Sequence, residues 1–153
     1  MQTIQAVTAS PLGNLTLTEA DGALIRLAFT PDAPLLAPST ALLRRAVREL
    51  EEYFAGSRRA FTLPMNPQGT AFQRAVWQTL MAIPYGETLS YARLAARIGH
   101  PGACRAVGSA VGRNPLPVLI PCHRVIPQTG GVGGYAGGAD RKSCLLALEK
   151  GKK

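Results

Sequence analysis

Cys122 and His123 stand side by side in IPCHRVIP (120–127), a thiol and an imidazole between Pro121 and Pro127. A free thiol ionises near pH ~8.5 and only the thiolate attacks, so a reactive cysteine needs a base or a positive environment. His123 and Arg124 offer one of each. Neighbouring side chains on an extended chain face opposite ways, so the imidazole reaches the thiol proton only from a turn or through a bridging water. It also needs an acceptor behind it to fix its tautomer. Of the acids that follow residue 67, Glu87, Asp140 and Glu149, the candidate is Glu149, near the end of the last helical stretch. The alternative is an inert buried cysteine beside a glutamate in solvent.

Several segments must position this pair. Asn114 to Pro121 (NPLPVLIP) has three prolines with apolar residues between them, which predicts an extended, buried lead-in that delivers Cys122 with little freedom. After the pair, GGVGGYAGG (130–138) sets glycines around Tyr135, so a loop can approach a flat ligand with the tyrosine as one wall. It lacks the Lys-Ser/Thr ending of a phosphate loop. Before the pair, Thr70 and Gln73 form a capping box for a helix through Phe72, Val76, Leu80 and Ile83 that stops before Pro84. Two shorter helices, Ser90–Ile98 and Ala103–Val111, flank the turn Gly99 to Gly102, the pattern of a helix-turn-helix. In the second of them most residues are small and Arg105 is the one long basic side chain. That suits insertion into a duplex, and it equally suits tight packing on the preceding helix.

Upstream, IQAVTA, NLTLTE and ALIRLAF are separated by turn signals and read as a three-stranded antiparallel meander. Ser39 is placed to cap a helix whose stripe is Leu43, Val47, Leu50 and Phe54. Residues 57–69 read as a last strand followed by a linker. The fold class is therefore α+β, with a small N-terminal α/β lobe over 1–67 and a mainly helical C-terminal lobe over 68–153.

Charge separates the same two parts. Residues 1–67 carry six arginines against six acids, whereas residues 68–153 carry eleven Lys and Arg against three acids, so the whole net charge of +8 lies in the second part. A basic lobe beside a neutral one predicts a polyanion-binding face, with nucleic acid the commonest such partner; a basic surface kept for solubility is the other reading. Hydrophobic residues at 46% and charged ones at 17% describe a globular chain, and no apolar run approaches the ~18 residues of a membrane helix. The N-terminus lacks the pattern of a secretion signal, so an intracellular, cytoplasmic protein is expected. Three cysteines, an odd number, predict reduced thiols, and with no Cys or His before His100 no metal site is expected.

PCHRV (121–125), NPLPVLI (114–120), SYARLA (90–95), RAVGSAVGRNP (105–115) and the glycine loop around Tyr135 together resemble the O6-alkylguanine-DNA alkyltransferases, also called methylated-DNA-protein-cysteine methyltransferases. The resemblance runs over about 69–150, and more loosely over a first lobe that is ribonuclease H-like in the family. It implies irreversible, single-turnover transfer of an alkyl group from guanine O6, and in some settings thymine O4, to Cys122 of the protein itself. His123 would act as base through water, Glu149 would hold it, and Asn114 would be the hinge of the active-site turn. On the substrate and DNA side it implies Tyr91 to crowd the phosphate and turn the nucleotide out, and Arg105 to fill the hole in the stack. There too it sets the carbonyls of Cys122 and Val125 to read the guanine amino group, with Tyr135, Ala136, Gly137 and Lys142 around the base. The partner implied is duplex DNA bound through its minor groove by a monomer, with no cofactor and no membrane. Ala136 stands where many members carry a serine, so backbone N–H groups would serve there. Some members hold zinc in the first lobe, and this chain is expected to lack it. Two readings compete: a helix-turn-helix DNA-binding protein without chemistry, and a cysteine hydrolase.

Overall fold

A computed structural model describes residues 2–135 and 137–151. The chain divides into two compact units, one ending at Gln68 and one beginning at Gly69.

In the first unit, β1 (Thr3–Thr8), β2 (Leu15–Ala20) and β3 (Ala23–Phe29) form an antiparallel meander in that order. Thr8 faces Leu15 across the first hairpin and Ala20 faces Ala23 across the second, with a register shift at Thr18/Glu19. The central strand turns Leu15 and Leu17 inward. Helix α1 (Ala41–Phe54) packs across β1 and β2. Its cap is Thr40, whose hydroxyl accepts from Leu43 N–H at 3.0 Å, and not Ser39. Its buried face is also rotated from the expected stripe: Leu43, Ala46, Leu50 and Tyr53 face inward and Val47 and Phe54 are only half-buried. Both 4-3-4 and 3-4-3 spacings satisfy a 3.6-residue period, and the large ring of Tyr53 decides between them by filling the core.

Glu49 lies on that buried face, 1% exposed. Its oxygens accept from Thr62 N–H (2.9 Å), the Thr62 hydroxyl (2.8 Å) and Arg45 Nε (3.2 Å), and Arg58 stands 3.6 Å away. Burial would raise this carboxyl, but the two Thr62 donors with Arg45 and Arg58 outweigh it and hold the group below the ordinary carboxylate value. The strand expected within 57–69 does not form. This segment makes a single bridge, Leu24 with Met65, through Leu24 N–H to Pro64 O and Asn66 N–H to Leu24 O. Pro64 and Pro67 lack the N–H groups that a longer ladder would need.

In the second unit, α2 (Ala71–Leu80) starts at the Thr70/Gln73 capping box, with both reciprocal bonds made. The two-residue strand β4 (Leu89–Ser90) leads into α3 (Tyr91–Arg97), capped by Ser90. After the turn comes α4 (Cys104–Gly112), which packs against α2 and α3. Trp77 fixes that packing by donating its indole N–H to Ala110 O at 2.8 Å inside the core. A 3₁₀ turn (Cys122–Arg124) is followed by β5 (Val125–Ile126), parallel to β4, and by α5 (Ala139–Glu149). Among the described residues no helix is long and apolar enough to cross a membrane.

Candidate active site

The lead-in to Cys122 is buried, as its apolar residues require, but it is folded into turns and not extended. Ile120 N–H donates to Leu116 O at 2.8 Å, and Cys122 N–H to Ile120 O at 2.7 Å. Asn114 staples the turn: its Nδ2 donates to Ile120 O and its Oδ1 accepts from Leu116 N–H, both at 2.9 Å. Within this lasso Val118 has φ +73°, a strained conformation for a β-branched residue that persists only where the surroundings over-determine it. Prolines forbid helix and ladder but do not forbid consecutive turns, and the Asn114 side chain supplies partners that the extended form would lack.

Cys122 is 4% exposed and lines a cavity of about 240 Å³ together with Tyr91, Gly108, Val111, Gly112, Gly134 and Tyr135. Burial pushes its thiol up to about 11, partly opposed by a hydrogen bond from Asn114 and by the charge of Lys142. The resting sulfur is therefore protonated at pH 7. Ionisation has to accompany reaction.

The base is set by a shared carboxylate. His123 Nε2 lies 2.7 Å from Glu149 Oε2, with both side chains buried. Arg124 grips the same carboxylate with Nε on Oε1 (2.8 Å) and Nη2 on Oε2 (2.9 Å), and Gly86 N–H adds a donor at 3.2 Å. So many donors keep Glu149 ionised and acceptor-only, and Nε2 must carry the imidazole proton. Burial lowers the pKa of His123 and the charges of Arg124 and Lys142 lower it further, against the opposing pull of Glu149. The ring is thus neutral at pH 7, with a lone pair on Nδ1, which is buried and makes no hydrogen bond among the described residues.

One expectation changes here. Arg124 was expected to supply positive charge to the thiol, but it turns away, to Glu149 and to Ile83 O at 2.6 Å. A carboxylate in reach outcompetes a neutral thiol for a guanidinium. The cation acting on the sulfur is Lys142, which is 0% exposed, donates to Val125 O (2.7 Å) and Gly134 O (3.1 Å), and lies 6.0 Å from the centre of the Tyr91 ring. Its ammonium thereby ties the glycine loop at Gly134 to β5 at Val125. Val125 O already accepts from Lys142 and Cys122 O from Val125 N–H, so each has one lone pair left for a ligand.

Tyr91 opens α3 and is half-buried against the cavity, where burial and the nearby sulfur raise its hydroxyl pKa. Tyr135 also lines the cavity, and its hydroxyl is raised for the same reasons. Gly137 is buried, its carbonyl accepting from Arg141 at 3.0 Å, and Ala136 lies outside the described residues. On α4, Val107, Ala110 and Val111 pack inward, while Cys104, Arg105, Ala106 and Ser109 are exposed. Among the described residues no group of three or more His, Cys, Asp and Glu side chains is placed to hold a metal ion.

Residues 71–151 match the family model of the 6-O-methylguanine DNA methyltransferase DNA-binding domain, and residues 4–67 match that of its ribonuclease-like domain. The chain belongs to the 6-O-methylguanine DNA methyltransferase family. A relative from Mycolicibacterium paratuberculosis, named methylated-DNA–protein-cysteine methyltransferase, is 45% identical over 146 residues, covering 92% of this chain and 88% of the relative. The crystal structure of the Mycobacterium tuberculosis O6-methylguanine methyltransferase superposes with a TM-score of 0.88 at 41% identity, over 99% of this chain and 95% of that one. A second M. tuberculosis structure, solved in complex with DNA, gives 0.88 at 43% identity over 96% and 92%. Within this member of the 6-O-methylguanine DNA methyltransferase family, the α+β architecture of a small sheet unit and a helical unit is that of those structures.

Two features of the site were not read from its sequence: Gly86 N–H and the Arg124 side chain hold Glu149, and Gly108 and Gly112 of α4 line the cavity. Arg124 was legible as a charge beside the pair, but not as a partner of Glu149. The glycine loop around Tyr135 was read as a ligand wall, whereas nothing in the sequence marked the α4 glycines.

Proposed function

We propose that this protein repairs DNA by direct reversal, moving an alkyl group from O6 of guanine to Cys122 Sγ once per molecule. The observation that carries this reading is a buried thiol lining a cavity, followed in the chain by a buried histidine that Glu149 holds. Nδ1 of His123, directly or through one water, takes the thiol proton as Sγ attacks the alkyl carbon. The carbon–O6 bond breaks, its electron pair passes to guanine, and the proton taken up by His123 passes on to the guanine, leaving unmodified guanine, a neutral histidine and a thioether. A thioether offers no leaving group to water, so the protein is spent. Lys142 sits where it stabilises the passing thiolate, and Asn114 fixes the turn that presents it.

The guanine O6 is shielded in the stack, so the nucleotide has to be extruded, at a cost of a few kcal/mol that falls for a poorly paired lesion. Tyr91 displaces the nucleotide and Arg105, exposed on α4, fills the gap from the minor groove. The basic charge after residue 67 binds phosphates without reading sequence, which suits lesions that occur anywhere. The protein acts as a monomer.

The test is incubation with duplex containing O6-methylguanine, followed by peptide mass analysis. One methyl mass on the peptide holding Cys122 is expected; a methyl on Cys104 or Cys144, or on none, refutes the reading. A DNA-binding protein without chemistry would bind the duplex and stay unmodified, and a hydrolase would turn over repeatedly on an ester.

A further inference from the structure

We infer that the turn over residues 83–86 is a positioning device for the base: the Tyr85 ring holds the Arg124 guanidinium on the Glu149 carboxylate and so keeps that carboxylate aimed at His123, an inference that rests on the alkyl-transfer reading above. The sequence marks this stretch only as the stop of α2. Yet its residues address the last turn of α5 and the arginine bound there. Ile83 O accepts from Arg124 Nη1 at 2.6 Å, and the centre of the Tyr85 ring lies 5.7 Å from the guanidinium carbon. The Tyr85 hydroxyl donates to Leu148 O at 3.4 Å, and Gly86 N–H to Glu149 Oε1 at 3.2 Å. Glu87 N–H donates to Pro84 O at 3.1 Å across a turn in which φ is +81° at Gly86 and not positive at Tyr85. That is the type II form, which calls for glycine in third place and reverses the middle peptide relative to type I. The reversal presents Gly86 N–H to the carboxylate. A Cβ at Gly86 would lie 3.2 Å from Glu149 O, so the turn sits directly on the end of α5.

A guanidinium and a carboxylate can pair in more than one way, and their charges alone do not choose among them. Here Nε and Nη2 of Arg124 take the two oxygens of Glu149, and Oε2 is shared with His123 Nε2. Ile83 O occupies Nη1, so the guanidinium cannot slide along the carboxylate, and the aromatic ring beside it favours a cation where little water competes. The consequence falls on His123. The charged groups that face the imidazole are Glu149 and Lys142 from α5 and Arg124 from its own turn, while the adjacent Cys122 thiol is neutral at rest. Burial opposes the imidazolium, Glu149 favours it, and Arg124 and Lys142 oppose it. Releasing the guanidinium from this clamp leaves the carboxylate less compensated, and the ring becomes easier to protonate.

The experiment follows single-turnover methyl transfer from an O6-methylguanine duplex against pH, and titrates the His123 imidazole by NMR in the unreacted full chain, for the wild type, Tyr85→Leu and Tyr85→Phe. Leucine removes the ring and keeps apolar bulk; phenylalanine keeps the ring and loses only the hydroxyl. In Tyr85→Leu the acid limb of the rate and the imidazole titration are expected to move up together by about half a pH unit or more, and the level rate to fall about threefold or more. In Tyr85→Phe both midpoints are expected to move less than half as far. A loss of folded fraction lowers amplitudes and leaves midpoints in place, and Tyr85→Met replaces the leucine variant if that one does not fold. Unmoved midpoints in the variant without the ring, whatever its level rate, overturn the inference, as does a phenylalanine variant that shifts as far. Absence of methyl transfer by the wild type instead sinks the alkyl-transfer reading, and the NMR titration then still decides the clamp.

Discussion

His123 and Glu149, 26 positions apart, meet at 2.7 Å inside the second unit, and Arg124 and Gly86 hold the same carboxylate from other sides. This hub fixes the tautomer that leaves Nδ1 as the base. Glu149→Gln keeps the shape but removes the charge, and it puts an amide NH₂ or a weaker carbonyl against Arg124 and His123. The single-turnover rate is expected to fall by about 10²–10⁴, the usual contribution of a positioned base, and a denaturant melt should show a loss of about 3–5 kcal/mol. A full rate with the amide would mean that the histidine needs no carboxylate.

The pH profile follows from two shifts in opposite directions. His123 is lowered, so the wild-type rate should rise as pH climbs through a value below the ordinary imidazole pKa and then stay level across neutrality. Cys122 is raised to about 11, so in His123→Ala, where the thiol must ionise unaided, the logarithm of the rate should climb with pH toward that value. A level profile for the variant between pH 7 and 10 would remove the histidine from the proton path.

Arg105 tests the route into the duplex. It is exposed on α4 and takes no part in the contacts around the sulfur. Arg105→Ala is expected to slow transfer from an alkylated duplex at least tenfold while changing reaction with free O6-benzylguanine little. Equal losses on the two substrates would count against a role in extrusion.

Asn114 tests the turn. Asn114→Ala removes both bonds of the staple; the Ile120 carbonyl keeps the Cys122 N–H, but the Leu116 N–H is left buried without its acceptor, at a cost of about 1–3 kcal/mol. With Val118 no longer held at positive φ, the transfer rate should fall along with stability. A stable variant with a normal rate would show that the turn closes without its staple.

Glu49 links acid sensitivity to the first unit. Its carboxyl is depressed, so the stability it contributes is fully present above the ordinary carboxylate pKa and is lost as pH falls through the lowered folded value. Glu49→Ala strands the Thr62 donors and is expected to cost about 1–3 kcal/mol at pH 7. The difference from wild type, read from denaturant midpoints, should shrink toward pH 3; a constant difference would mean that Glu49 acts through shape and not charge.

Local rules explain what was legible in the sequence. The meander, the Thr70/Gln73 box and the helix pair were readable because turn residues and capping partners lie within a few positions of one another. The Cys122–His123 pair and Glu149 were readable because few residues can do that chemistry and the second part of the chain has only three acids. Misreadings fell where two local solutions were nearly equal. Thr40 capped in place of Ser39, the α1 stripe rotated to Tyr53, and a proline-rich stretch chose turns over extension.

Which groups carry which charge was decided only in three dimensions. Burial drove the thiol up and the imidazole down, drew Arg124 to Glu149 and left Lys142 as the cation near the sulfur. A sequence states that these residues exist and how far apart they lie along the chain. Desolvation and pairing depend on which distant segments exclude water from a side chain and which partner reaches it first, and those are properties of the packed molecule.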